Sequence, residues 1–296
     1  MPYFSQDKLK EKVMRTNLFI LTAIICLLMQ GLGLGQALVP IDPGSVSDGH
    51  VYLLEDETDS STNGNTGTIV GAPTVVDGLS GKAMQFDGVA DGIQPPNAAT
   101  INLSTHQNKT IIAVFKCADV DKAEKQVVFE EGGTTRGMNI YVHEGQAYAG
   151  GWNPADYTPQ WPGTWFSAPI GSDEWHVVAG VLREGGAGME DDKFEVWIDG
   201  TLVGVGPGAE LRSRSNNCAI GYFNSQTKFH DGNGTGGGGY FEGVIDEVWI
   251  LNEALTPEEL SALGFNKANA KNPVPADEEI DVARDLAISW NPGEFA

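Results

Sequence analysis

A chain of 296 residues with 38 glycines, 7 tryptophans and 12 phenylalanines can hold one large or two ordinary domains, with ample length for a buried core. Its 40 acidic residues against 18 basic ones give a formal net charge of −22, which repels nucleic acid phosphates and anionic membranes and argues against both as partners. Divalent cations, neutral glycans and basic proteins suit such a surface better, and so does the plainer role of keeping an extracellular protein soluble.

The N-terminus reads as an export signal. Basic Arg15 precedes an apolar run over residues 18–29, and the small residues of 33–37 supply a cleavage point. The run is short for a membrane span and glycines break it. Residues 1–37 therefore read as a signal peptide, with translation starting at Met1 or at Met14. Cys26 follows Ile25, where a lipoprotein signal would want a small residue, which argues against a lipid anchor. Removal of this segment leaves 14 bases against 38 acids in a secreted or surface-exposed product, with no membrane insertion. Cys117 and Cys218 then remain; export permits a disulfide, and spacing alone leaves their pairing open.

Beyond the signal the pattern is strands and turns. Short apolar runs at 110–115, 126–129 and 138–142 predict strands, and the near-continuous apolar run 175–182 predicts a central strand covered on both faces. Phe194, Val196 and Ile198 alternate onto one face before Asp199-Gly200, and apolar residues resume after it, which predicts a hairpin. Residues 240–251 predict a long late strand. With no helical pattern between them, these elements predict an all-β, two-sheet antiparallel sandwich. One short helix follows: Thr256 is its N-cap, Pro257 its first position and Glu259 its capping-box residue, with Leu260 and Leu263 apolar and Gly264 as the stop.

This sandwich spans 38–265, followed by a polar linker at 266–272. Residues 273–296, with Leu286, Ile288 and Trp290 alternating, resemble the opening of an immunoglobulin-like or fibronectin type III module and imply a larger multidomain protein.

Four ordered segments carry a family resemblance. They are His50-Val-Tyr-Leu-Leu with the loop from Asp59, Gly81-Lys-Ala-Met-Gln-Phe-Asp-Gly88, the pair Glu174-Trp-His-Val-Val-Ala179 and Val196-Trp-Ile-Asp-Gly200, and Gly243-Val-Ile-Asp-Glu-Val-Trp-Ile250 with its helix. Together they resemble the laminin-G-like, concanavalin A-type jelly rolls. That fold hosts lectins, hydrolases, adhesion modules and spacers, so the resemblance implies architecture more sharply than activity.

Asp246 would share a face with Val244, Val248 and Ile250 under regular alternation. A carboxylate there must be hydrogen-bonded, paired or metal-bound. The resemblance implies a calcium between the first and last strands, held by Asp246, Asp59 and the carbonyl-rich 63–67 loop, with Asp87 and Asp91 as second choices. The alternative is that Asp246 accepts backbone N–H groups and orders the chain without metal.

Residues 150–166 crowd Trp152, Tyr157, Trp161 and Trp165 into a proline-broken stretch that no single regular strand can hold. Exposed rings in such a loop would stack on sugar faces, with Asn153, Asp156 and Gln160 fixing hydroxyls. The alternative is that the rings glue the loop to the sheet. In 228–239, Gly234, Gly236 and Gly239 spell GxGxxG, but the next element is a strand, so a dinucleotide site fails. The stretch reads as a mobile rim loop in which His230 and Asp231 are candidate ligand contacts. Asn102, Asn108 and Asn233 begin glycosylation sequons.

Glu190-Asp-Asp-Lys-Phe-Glu195 matches the ExDxxE of some glucanases of this fold, and retaining hydrolysis needs two carboxyls about 5 Å apart. Asp191 and Lys193, however, place charge where those enzymes are apolar, and the motif follows the turn-like Gly185–Gly188 stretch, so it reads as a solvated hairpin tip. No HExxH, GxSxG or P-loop occurs, and His176 reads as a satisfied core histidine. The expected function is recognition of a glycan or an extracellular protein, beside neighbouring modules of the same chain and without a catalytic residue. A structural or adhesion spacer and a hydrolase acting through Glu190 and Glu195 are the alternatives.

Overall fold

The computed structural model describes residue 39 and residues 41–154, 158–215 and 218–264, with the backbone of 271–274 and 289–291. The expected signal peptide, Asp156 and Tyr157, the linker up to residue 270 and most of the second module, including Leu286 and Ile288, lie outside the described residues. Of that tail, the backbone of Lys271–Val274 pairs antiparallel with Ser289–Asn291.

Among the described residues, seventeen strands precede it. The first six are β1 Gly49–Tyr52, β2 Thr68–Val70, β3 Thr74–Asp77, β4 Lys82–Asp87, β5 Gly92–Gln94 and β6 Lys109–Cys117. Next come β7 Gln126–Gly132, β8 Gly137–His143, β9 Gln146–Asn153, β10 Trp161–Pro169, β11 Trp175–Leu182 and β12 Glu190–Ile198. The series ends with β13 Thr201–Gly208, β14 Ala219–Ile220, β15 Gln226–Phe229, β16 Gly232–Thr235 and β17 Glu242–Leu251.

One sheet runs β13-β12-β11-β6-β17-β4-β3, with β1 also on β17; the other runs β10-β9-β8-β7-β14-β5-β2. The expected two-sheet sandwich is what forms, because alternation supplies each sheet with an apolar inner face. Val178 and Leu182 of β11 enter the core between the sheets with Ile111, Phe115, Ile140, Phe194 and Ile245. Val177, Ala179 and Val181 face the other way and are buried as well, under Val39, Val46 and the C-terminal helix. That second burial is why the sequence of β11 is apolar throughout.

Local chemistry sets the turns. Asp199 and Gly200 both have positive φ, 49° and 72°, the pair of left-handed residues a two-residue hairpin loop requires. The helix α1, Pro257–Ser261, carries the full capping box: Thr256 accepts from the Glu259 N–H and Glu259 reaches back to the Thr256 N–H. Its Leu260 then seals the outer core.

Two departures from the sequence expectation matter for the site. Residues 150–166 are not one loop: their ends belong to β9 and β10, an antiparallel pair with a register shift between Trp161 and Thr164. The prolines misled because β10 is an edge strand, where a missing N–H costs no ladder bond. The glycine-rich 228–239 stretch is likewise no free rim loop, since β15 and β16 form a hairpin turning at His230-Asp231. Phe229 and Phe223 pin it to Val127 and Tyr141 on the outer face of the seven-stranded sheet.

Candidate functional site

On β8, β9 and β10 the two-residue period sends Asn139, Tyr141, His143, Tyr148, Gly150, Trp152 and Trp165 outward, while Met138, Ile140, Ala147 and Ala149 enter the core. Tyr141 and Tyr148 stand directly opposite in register and stack at 4.8 Å. The His230 ring continues the stack, 4.6 Å from Tyr148 and within 7° of parallel. Tyr141 Oη lies 2.6 Å from His230 Nδ1, which holds the hairpin tip on the sheet. His230 itself is exposed.

A second stack adjoins the first. Trp165 lies opposite Gly150 in the ladder, and a Cβ at either Gly150 or Gly163 would run into its ring. Two glycines therefore let the indole lie flat across the edge of the sheet. Trp152 stacks beside it at 5.8 Å and 17°, and Lys228 Nζ stands 6.0 Å from its centroid. Trp165 is half-buried, whereas Trp152 is fully buried and donates Nε1–H to the Gly133 carbonyl at 2.8 Å. The outer face thus joins residues from the two stretches that the sequence presents about 70 positions apart.

Not every expected contact is there. Trp161 points into the core against Phe194, fully buried, with Nε1 donating to Thr164 Oγ1 at 3.0 Å. Asn153 is also buried and donates to the Glu210 carbonyl at 2.9 Å. These two, and Trp152, are corrected from ligand contacts to packing residues. Asp231 is exposed at the hairpin turn, with its carboxylate 2.9 Å from Lys125 Nζ, whose hydrogen bond and charge hold it below the usual carboxylate range.

The proposed calcium ligands do not converge. Asp59 is saturated: Oδ1 accepts from the N–H groups of Val51 and Ser61, and Oδ2 accepts from Asn65 and contacts His50 Nδ1 at 2.8 Å. Burial works to raise its pKa, but these hydrogen bonds, led by His50, outweigh it and hold the carboxyl low. Asp87 lies exposed in the β4–β5 turn, accepting from Val89, Ala90 and Asp91, while Asp91 accepts from Ala72 and Asp87. Asp246 is the extra residue of a bulge between Ile245 and Glu247, so it leaves the alternation that would have grouped it with Val248 and Ile250. Its Oδ2 accepts from Leu79 at 2.6 Å and Ser80 at 3.4 Å in the β3–β4 turn. Among the described residues no three His, Cys, Asp or Glu side chains gather to hold a metal. The carboxylates present serve separate turns and do not fit one shared calcium.

Burial pushes the Asp246 carboxyl up to about 7 from 3.8, against the two N–H bonds and with help from Glu55. The folded protein then favours the protonated form, so this contribution to stability is full below about pH 4 and is lost as pH rises through 7. The difference is on the order of 4 kcal/mol. Urea denaturation of Asp246→Asn against the parent should show the variant gaining relative stability between pH 4 and 8; a constant difference would refute the assignment.

At the ExDxxE motif, Glu195 is held by Arg183 through Nε at 2.7 Å and Nη2 at 3.1 Å, with Trp197 Nε1–H donating to it at 3.0 Å. Burial opposes ionisation there, but these donors prevail and hold its carboxyl low. Glu190 is exposed, 3.6 Å from Lys193. One carboxylate is clamped and the other solvated, so the motif supplies no acid–nucleophile pair. His176 is satisfied as expected, with Nδ1 2.9 Å from Asp199 and Nε2 accepting from Gly171 N–H. Cys117 and Cys218 are buried free thiols, which settles the open pairing against a disulfide.

Known proteins share this architecture. Domain 4 of AbnA, a GH43 extracellular arabinanase from Geobacillus stearothermophilus solved with arabinotriose, matches with a TM-score of 0.50 and 19% identity, over 73% of this chain and 97% of that one. The botulinum neurotoxin serotype G binding domain matches with a TM-score of 0.51 and 10% identity, over 72% and 50%. The serotype D ligand binding domain in complex with N-acetylneuraminic acid matches with 0.51 and 10%, over 77% and 52%. This chain spans about half the length of those two toxin chains, and at such identities the likeness is one of fold. Comparison with curated proteins finds no match. A family model described as Concanavalin A-like lectin/glucanases superfamily matches residues 87–261, more than half of the sequence. The chain belongs to the Concanavalin A-like lectin/glucanases superfamily.

Proposed function

We propose that this chain is an exported, non-catalytic carbohydrate-recognition module of a multidomain protein, and that it reads sugar on the outer face of its seven-stranded sheet. The observation that carries this reading is the half-buried Trp165 indole, laid flat over Gly150 and Gly163 beside the Tyr148–His230 stack. A flat ring on a rigid sheet matches the apolar face of a pyranose at little entropic cost, and Lys228 and His230 at its margin provide polar contacts for hydroxyls. The structural neighbours solved with arabinotriose and with N-acetylneuraminic acid support carbohydrate as the partner class.

A glycan array probed with the folded chain tests the reading. Binding should survive EDTA, because Asp59, Asp87 and Asp246 are hydrogen-bonded to the β1–β2, β4–β5 and β3–β4 connections and not to the aromatic residues of the platform. Silence on every glycan, from protein with a cooperative thermal transition, would defeat it in favour of a spacer role. Loss of binding in EDTA would place a cation at the sugar and defeat the aromatic mechanism.

A further inference from the structure

The β15–β16 hairpin carries two margin residues of the platform, Lys228 over Trp165 and His230 beside Tyr148. What it covers on the sheet is a pair of polar side chains. On the outer face of β7 and β8, Glu130 and Asn139 stand directly opposite each other in the ladder, and opposite residues share a face. Both are fully buried, and so is Thr227 of β15, which lies against Asn139.

Neither oxygen of Glu130 meets a donor at hydrogen-bond geometry among the described residues, and neither does Asn139 Oδ1. The orientation of that amide is fixed, because Nδ2 donates to the Lys228 carbonyl at 2.8 Å and a carbonyl can only accept. Three acceptor oxygens thus lie under the hairpin without a donor, which folded interiors rarely tolerate. One proton resolves the conflict. A neutral Glu130 carboxyl has an O–H to donate, and Asn139 Oδ1 is an acceptor on the same face.

The surroundings favour that neutral form. Burial, then the charge of Glu131, drives Glu130 well above the usual carboxylate range, against smaller opposing effects of Arg214 and the Thr227 hydroxyl. Glu131 and Arg214 are themselves paired, together with Lys109, whose amine burial pushes down. Cys218 and Tyr222, whose titrations Glu130 also affects, are both pushed up by burial first, so neither brings a charge. On the hairpin, Lys228 sends its ammonium to the Pro162 carbonyl, Asp231 pairs with Lys125, and His230 meets Tyr141.

Resting on the carbohydrate reading, we propose that Glu130 is a proton latch: as the neutral acid bonded to Asn139 it holds the β15–β16 hairpin on the sheet, and its ionisation releases the hairpin and with it one margin of the sugar platform. A Glu130 freed into water ionises near its ordinary value of 4.5. Docking is therefore complete below that pH. It weakens about tenfold with each pH unit above, until the docked carboxyl itself ionises.

Hydrogen exchange on the folded chain, corrected for the intrinsic rate at each pH, tests this on peptides covering 226–235. Protection there should fall at least about tenfold between about pH 5 and about pH 7, while the central strand β11 keeps its protection. Glu130→Gln preserves the shape and carries a permanent N–H donor, so its hairpin protection should not change with pH. In the parent, the carboxyl carbon-13 signal of Glu130 should stay at its protonated position at about pH 6, above the ordinary range of the group. Affinity for the best glycan of the array should weaken with the hairpin in the parent and stay level in Glu130→Gln. Equal pH profiles for the two proteins, or an ionised Glu130 signal at about pH 5, overturn the latch and leave carbohydrate recognition standing. A hairpin that obeys the latch in a protein that binds no glycan overturns the carbohydrate reading and keeps the latch.

Discussion

Trp165→Ala should lower glycan affinity at least thirtyfold while leaving the fold nearly as stable as before. A central aromatic contact in a recognition site contributes about 2 kcal/mol or more, and Trp165 offers the half-buried indole of the platform. Its removal opens no core cavity, because the ring lies on the sheet surface over Gly150 and Gly163. Trp161→Ala should do the reverse. That ring is fully buried between the sheets against Phe194, and truncating such a residue costs about 3–5 kcal/mol. Calorimetric titration and urea denaturation on the two variants separate the effects. If Trp165→Ala keeps the parent affinity, the platform is not the binding surface.

Glu131→Gln should be among the most damaging single changes in the chain. It leaves the charge of Lys109 and Arg214 buried with no carboxylate between them, while Lys109 Nζ keeps only the Ile101 carbonyl at 2.8 Å and Asn252 Oδ1 at 3.0 Å. Breaking a buried ion pair in this way costs about 3–5 kcal/mol, which for a domain of this size lowers the thermal midpoint by about 10 °C. Replacing all three together by Met, Leu and Met should recover most of that loss, because the desolvation penalty disappears with the charges. A Glu131→Gln protein with an unchanged midpoint would show that Glu131 does not hold the two buried cations in place.

Much of the fold was legible because its signals are local. Alternation in 194–198, the Asp199-Gly200 turn and the Thr256–Glu259 capping box each involve residues a few positions apart, and all three form as expected. The continuous apolar run of β11 likewise meant what it implied, with Val178 and Val177 buried on opposite sides of one sheet. The site was harder to read. Its aromatic residues were visible, but their strands were hidden by glycine and proline, whose lack of side-chain pattern or ladder N–H imitates a loop.

By itself, then, the sequence determined the sandwich, its turns and its helix, since each rests on short-range backbone preference and the two-residue period. What only the tertiary structure decided is which way the critical side chains point and which distant ones meet. Trp161 and Trp165, four apart, should share a face; the register shift between Trp161 and Thr164 sends one into the core and leaves the other on the surface. The bulge at Asp246 breaks the same rule. One extra residue in a ladder reverses every side chain beyond it, and its position depends on the partner strand. The Lys109–Glu131–Arg214 cluster and the pairing of Trp165 with Lys228 depend on sheet order, which no local pattern encodes.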